Sequence, residues 1–288
     1  MTLSFSDRLA AAVRRTRTTL CVGIDPRVES LPLALHPKTR DPEAVADAYL
    51  TFGKRVVDIV DGLVPVVKPQ SAFFEAAGAP GVAAMAELLT YARSRGLMTI
   101  LDAKRGDIAS TAQAYAQSAF EVFGADSLTV NPYLGRDAVE PFIAVARQHG
   151  CGLFVLVRTS NPGSDLFQGL MSDGKPLYRH VAESVASWNR ENLGACGLGD
   201  VGAVVGATHP RELAELRALL PEVWFLIPGY GAQGGTAKDV ALGYRPDGLG
   251  ALVNSSRGIT FPFRPDDVHW ESAIAEATRK AIAELRID

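Results

Sequence analysis

Apolar residues recur along this chain in short, nearly uninterrupted runs, at 20–24, 64–67, 98–101, 127–130, 153–157, 201–205, 223–227 and 250–253. Each run is four or five residues long and most are rich in Val, Leu and Ile, the pattern of strands buried on both faces of a parallel sheet. The stretches between them carry helical spacing instead. Asp41-Pro42 supplies an N-cap and a first-turn proline, and Val45, Tyr49, Phe52, Val56 and Ile59 follow at intervals of three and four. His209-Pro210 opens another helix, with Leu213, Leu216, Leu219 and Leu220 on its apolar face. A last helix is predicted over about 267–285. Residues 1–18 read as a short amphipathic helix, in which Phe5, Leu9 and Val13 stand four apart.

Eight strands alternating with helices predict an α/β protein, a (β/α)8 TIM barrel, in a single domain spanning 1–288. An open doubly wound sheet is the alternative. Its usual Gly-x-Gly-x-x-Gly turn after the first strand is missing, because the chain there reads Gly23-Ile24-Asp25-Pro26. The longest connection, 158–200, is rich in Gly, Asn, Pro and Asp before a helical stretch over about 176–193. It is the candidate lid, since long barrel loops tend to be functional.

Composition narrows the partners. With 47% hydrophobic residues the 288-residue chain has material for a large core. Lys and Arg number 29 against 32 Asp and Glu, a net charge of −3, which argues against nucleic acid or an anionic membrane as the main partner. Cys21, Cys151 and Cys196 are far apart, odd in number and form no Cys-x-x-Cys pair, so neither a disulfide framework nor a structural zinc is supported. The basic residues of the N-terminal stretch follow a short apolar segment, the reverse of a secretory signal, and no run approaches 18 apolar residues. A cytoplasmic protein is expected. The five histidines, His36, His149, His180, His209 and His269, share no metal-ligand spacing, and no His-Glu-x-x-His occurs.

Barrel active sites lie at the carboxyl ends of the strands. Those positions here hold Asp25, Lys68, Asp102 with Lys104, Asn131, Arg158 to Ser160, the 206–208 turn ending in Thr208, the glycines of 229–235, and Asn254 to Arg257. Asp102 and Lys104 are two apart on a strand and so share a face. If Asp107 begins the next helix, Thr111 stands one turn further on. The expected arrangement is a lysine between two carboxylates, with Lys68 on the neighbouring strand. The bland alternative is a salt-bridge cluster sealing the barrel rim. After the seventh and eighth strands, the glycine-rich 228–235 and 254–258 offer backbone N–H groups to an anion, and Arg257 can grip phosphate with paired donors. These two loops are the common phosphate site of the fold.

The stretch Asp-Ala-Lys-Arg-Gly-Asp-Ile at 102–108, followed by Thr111, Ala112 and Tyr115, resembles the signature of the orotidine 5′-phosphate decarboxylase family. The segments at 22–27, 67–70, 131–135, 158–162, 205–210, 228–235 and 254–259 resemble its longer bacterial, type 2 branch, so the likeness spans nearly the whole chain. It implies a homodimeric TIM barrel that converts orotidine 5′-monophosphate to UMP and CO2 without metal or organic cofactor. On this resemblance Lys104 would donate a proton to C6 of the pyrimidine, and Asp102 would sit beside the departing carboxylate. Lys68 would bond the ribose and tie the charged array together, and Asp25 would bind a ribose hydroxyl. Asp107, Ile108 and Thr111 would reach into the partner subunit's site. Ser160 would contact the pyrimidine edge, while Gln233 and Arg257 would hold the phosphate. Arg105-Gly106 departs from the small apolar residues of the short branch, so the roles of Asp107 and Thr111 require the next helix to start in the same register.

Three other readings compete. A Mg2+-dependent barrel of the 3-keto-gulonate 6-phosphate decarboxylase type needs a second carboxylate near the end of strand two, where this chain has Lys68. A Schiff-base aldolase needs a lysine of lowered pKa, whereas neighbouring carboxylates act in the opposite direction. A non-catalytic barrel would bind a phosphate ligand without releasing CO2.

Overall fold

The computed structural model describes residues 3–231 and 234–287. Eight parallel strands close on themselves: β1 (Leu20–Ile24), β2 (Val66–Pro69), β3 (Met98–Arg105), β4 (Ser127–Val130), β5 (Gly152–Arg158), β6 (Val201–Val205), β7 (Phe225–Ile227) and β8 (Ala251–Ser255). β1 pairs with both β2 and β8, which completes the barrel. Helices cover the outside of the barrel and side chains fill its interior, so each strand is buried on both faces and its sequence shows no polar alternation over most of its length.

The two faces are nonetheless distinct. Leu20, Val22 and Ile24 of β1, Val67 of β2, Phe225 and Ile227 of β7, and Ala251 and Val253 of β8 face the helices, packing into one apolar cluster with Phe52, Val56 and Leu88. Cys21, Val66, Ile100, Phe154, Val204, Leu226 and Leu252 belong to a second cluster inside the barrel. Phe5, Leu9 and Val13 of the N-terminal helix Phe5–Thr16 join this inner cluster and close the lower mouth, with the Phe5 ring edge-on to Phe154 at 6.3 Å. Continuing the two-residue period upward from the inner cluster reaches Asp25, Lys68, Asp102, Thr129, Arg158 and Asn254. The apolar interior therefore ends in a polar layer at the carboxyl ends of the strands.

The remaining elements refine the sequence expectations. The helix after Asp41 runs Pro42–Val60 and buries Tyr49, Phe52 and Val56, with Val45 and Ile59 at its margins. The helix that His209 precedes is Pro210–Leu219, and the last is Trp270–Glu284. β2 begins two residues later than the apolar run suggested and carries Lys68 within it, and β3 extends four residues further, through Arg105. The upper ends of both strands escape the apolar pattern because it cannot mark strand residues whose charges are paired, as Lys68 and Asp102 are inside the barrel. The 158–200 connection holds helix Asp165–Gln168, a small hairpin pairing Met171–Ser172 with Lys175–Pro176, and helix Leu177–Arg190. No helix among the described residues is long and apolar enough to cross a membrane.

Candidate active site

At the carboxyl end of the barrel a cavity of about 290 Å³ is lined by Asp25, Lys68, Gln70, Asp102, Asn254 and Arg257, among others. Its hub is Asp102. Lys68 Nζ donates to Asp102 Oδ2 at 2.6 Å, and Lys104 Nζ donates to Oδ1 at 2.6 Å. Gln70 Nε2 adds a bond to Oδ2 at 3.1 Å and Thr129 Oγ1 one to Oδ1 at 2.9 Å. Lys68 and Asp102 are buried, whereas the Lys104 side chain is 46% exposed and stands at the solvent end of the array.

Burial alone would push Asp102 toward its neutral form, but Lys68 and Lys104 outweigh it and hold the carboxyl below the usual carboxylate range. Burial likewise disfavours the Lys68 ammonium, and the carboxylates of Asp102 and Asp25 more than compensate, raising its pKa above that of an ordinary lysine. Both groups are thus charged at neutral pH. Next to Lys68, burial pushes the Cys21 thiol up to about 12, so it stays protonated and inert.

Asp102→Ala leaves the Lys68 ammonium buried without its main counter-charge. The expected cost is about 3–5 kcal/mol of stability, read from urea unfolding. Because the folded pKa of Asp102 is depressed, the stability it contributes is present above the unfolded aspartate value of about 3.9 and lost as pH falls through the folded value. The variant should therefore show a shallower acid limb in a plot of melting temperature against pH.

Two acceptors in this cavity have no hydrogen-bond donor among the described residues, Asp25 Oδ1 and Asn254 Oδ1, although both are buried. An unpaired buried acceptor is costly, so each suits a ligand that brings hydroxyl or N–H donors. Arg257 is exposed, opens the short segment Arg257–Thr260 after β8, and forms no ion pair among the described residues. It faces the same cavity as Asp25 and Lys68.

Other expected residues lie elsewhere. Lys104 is not held between two carboxylates within one chain. Asp107 forms no ion pair among the described residues, and its carboxylate accepts the N–H of Ile108 at 2.8 Å. The chain leaves β3 past Gly106, where any side chain would press on the Asn131 carbonyl at 3.0 Å, and Asp107 then caps the turn before helix Ala109–Gln117. The helix starts two residues after Asp107, with Ile108 and Thr111 exposed on the outside of the turn. Ser160 does not line the cavity; its carbonyl accepts from Thr208 Oγ1 at 3.4 Å. Gln233 lies outside the described residues.

Arg158 is buried and turned toward the long connection, donating to Ser164 Oγ at 3.2 Å and Asp165 at 2.6 Å. Asn131 Oδ1 accepts the N–H of Tyr133, which fixes the turn after β4. The 158–200 connection, expected as a lid, lines no part of the 290 Å³ cavity. Its Phe167, Gln168, Leu177 and Tyr178 instead line, with Tyr133, a separate, largely apolar hollow of about 400 Å³. Arg105 pairs with Glu75 and lies over the Tyr115 ring at 5.2 Å.

Sequence reasoning passed over Gln70 and Thr129. Gln70 was legible, since it stands two residues beyond Lys68 and shares its face. Thr129 was hidden inside an apolar run.

Residues 18–262 match the family model described as Orotidine 5'-phosphate decarboxylase / HUMPS family. The chain is 45% identical to an orotidine 5'-phosphate decarboxylase of Rhodopirellula baltica, with 99% of each chain covered. It is 42% identical to one from Janthinobacterium sp., over 97% of this chain and 98% of that protein. The solved structure of Leishmania donovani OMP decarboxylase superposes with a TM-score of 0.77 at 37% identity, covering 98% of both chains. With a match over most of its length and relatives above 40% identity from end to end, the chain belongs to the orotidine 5'-phosphate decarboxylase / HUMPS family.

Proposed function

We propose that this protein decarboxylates orotidine 5′-monophosphate to UMP and CO2, a step of pyrimidine nucleotide synthesis, without a metal or organic cofactor. The observation that carries the reading is the Lys68–Asp102–Lys104 array at 2.6 Å contacts, in which Lys68 and Asp102 line the same 290 Å³ cavity as Arg257 and Lys104 stands beside it, held by Asp102. Losing CO2 from C6 leaves an in-plane carbanion that the ring cannot delocalise. Where no electron sink is supplied, stabilisation must be electrostatic and pre-organised. The Lys104 ammonium supplies it, opposing the developing charge at C6 and then delivering its proton there. Asp102 faces the substrate carboxylate, disfavouring it more than the transition state, in which that charge is leaving.

Binding energy from the remote groups offsets this ground-state cost. Arg257 and Gln233 take the phosphate, Asp25 and Lys68 the ribose, and Ser160, brought in from outside the cavity as the 158–200 connection closes, the pyrimidine edge. The unpaired Asp25 carboxylate oxygen supports its part, since a ribose hydroxyl would supply the missing donor. The 158–200 connection moves over the site as part of a lid when substrate binds.

The reading includes a homodimer with shared sites, in which Asp107, Ile108 and Thr111 serve the partner's cavity. Exposed apolar side chains on the loops after β3, β4 and β5 support it, among them Ile108, Tyr133, Leu134 and Phe167. Asp107, with no cation in its own chain among the described residues, is available to such a neighbour.

A Mg2+-dependent family chemistry fits these residues poorly. Both oxygens of Asp102 already accept from ammonium groups, and a divalent cation there would face two like charges. The test is the fall in ultraviolet absorbance as orotidine 5′-monophosphate is consumed in the presence of EDTA. Undiminished turnover is expected. Activity that EDTA removes and Mg2+ restores would overturn the proposal.

A further inference from the structure

We propose that Thr129 is a positioning residue that holds Asp102 and Lys104 in the geometry proton delivery requires, an inference that rests on the decarboxylase reading above. The register between β3 and β4 sets the problem. Leu101 stands opposite Leu128 and Arg105 opposite Val130, so Asp102, Ala103 and Lys104 together face the single residue Thr129. Two surplus residues must arch out of the ladder. Lys104 accordingly adopts a left-handed backbone, φ 47°, which a side chain tolerates only when its surroundings over-determine it. The arch brings Lys104 Nζ onto Asp102 Oδ1, and it also removes the N–H groups of Ala103 and Lys104 from their cross-strand carbonyls.

Thr129 repairs that loss with its side chain. Its Oγ1 accepts from Ala103 N at 3.0 Å and from Lys104 N at 2.9 Å. A hydroxyl has two lone pairs and one hydrogen. With both lone pairs engaged, the hydrogen has one destination, Asp102 Oδ1 at 2.9 Å. That same oxygen receives the Lys104 ammonium at 2.6 Å. One hydroxyl therefore joins the strained backbone of Lys104, the carboxylate that steers its ammonium, and the neighbouring strand. Thr129 is buried and does not line the cavity, so it acts through Lys104 and Asp102 rather than on the substrate. Its β-branched side chain restricts χ1, which keeps the hydroxyl aimed.

The role predicts a specific kinetic signature. Valine matches threonine in shape but offers neither acceptor nor donor. T129V should lower kcat about 100-fold, the scale of an ångström-sized displacement of a catalytic group. KM and UMP affinity should stay within about threefold, because Thr129 bonds only Ala103, Lys104 and Asp102 and touches neither Arg257 nor Asp25, the residues proposed for the phosphate and a ribose hydroxyl. T129S, which keeps the hydroxyl, should recover kcat to within about fivefold of the wild type. If T129V does not fold, T129A replaces it. The space vacated there admits a water that satisfies the two N–H groups without fixing the carboxylate, and the same fall in kcat is expected. Unchanged kcat in the variant lacking the hydroxyl overturns the positioning role. So does a variant whose kcat and melting temperature fall while KM rises, with no rescue by serine, since packing alone would then explain it. Failure of the wild-type protein to consume orotidine 5′-monophosphate is a separate result and overturns the decarboxylase reading itself.

Discussion

Replacing Lys104 by alanine is expected to abolish turnover of orotidine 5′-monophosphate while UMP binding survives. The ammonium performs two tasks in the proposed reaction. It opposes charge at C6 as CO2 departs, and it supplies the proton that replaces the carboxylate. Proton transfer by a positioned group accounts for about 10²–10⁴ in rate, and electrostatic stabilisation in a site of low dielectric adds to it. A fall in kcat of at least about 10⁴-fold is therefore expected. UMP carries neither the carboxylate nor the developing charge, so its affinity should change by less than about tenfold, measured by calorimetry. The fold should persist, because the side chain is half exposed and Asp102 retains Lys68, Gln70 and Thr129 as donors. Wild-type-like UMP release by this variant would sink the assignment of Lys104.

Mixing inactive subunits should restore activity. If each site takes Lys104 from one chain and Asp107 from the other, a dimer of Lys104→Ala and Asp107→Ala subunits contains one site with both residues intact and one with neither. Random exchange makes half of the dimers mixed, so recovery to about a quarter of wild-type activity is expected from two nearly inactive parents. The structure motivates the experiment directly. Asp107 binds only the backbone of its own turn among the described residues and does not reach Lys104 of the same chain. No recovery after verified exchange would remove Asp107 from the partner's site and leave it as a local cap.

Several differences between expectation and structure share one physical origin. The apolar runs located all eight strands because strands buried on both faces must be apolar over most of their length. They misjudged β2 and β3 at their upper ends, where Lys68 and Asp102 are buried as a compensated pair and hydrophobicity no longer tracks burial. Simple alternation put Asp102 and Lys104 on one face. They do meet, but across an arched backbone with two surplus residues rather than along a regular pleat. Arg158 looked like a site residue by its position at a strand end, yet its guanidinium turns to Ser164 and Asp165 and anchors the long connection.

Local pattern by itself determined the barrel class, the helix faces and the strand ends at which charge gathers, since these follow from periods of 2 and 3.6 residues and from the need to bury apolar faces. Spacing brought Asp102 and Lys104 together, but which residues meet from strand to strand was a matter for the closed barrel. Asp102 touches Lys68 across 34 positions and Thr129 across 27, and no spacing rule links residues that far apart. Closure joins these strands side by side, and the low dielectric beneath the cavity makes each resulting pair strong enough to hold a strained backbone at Lys104.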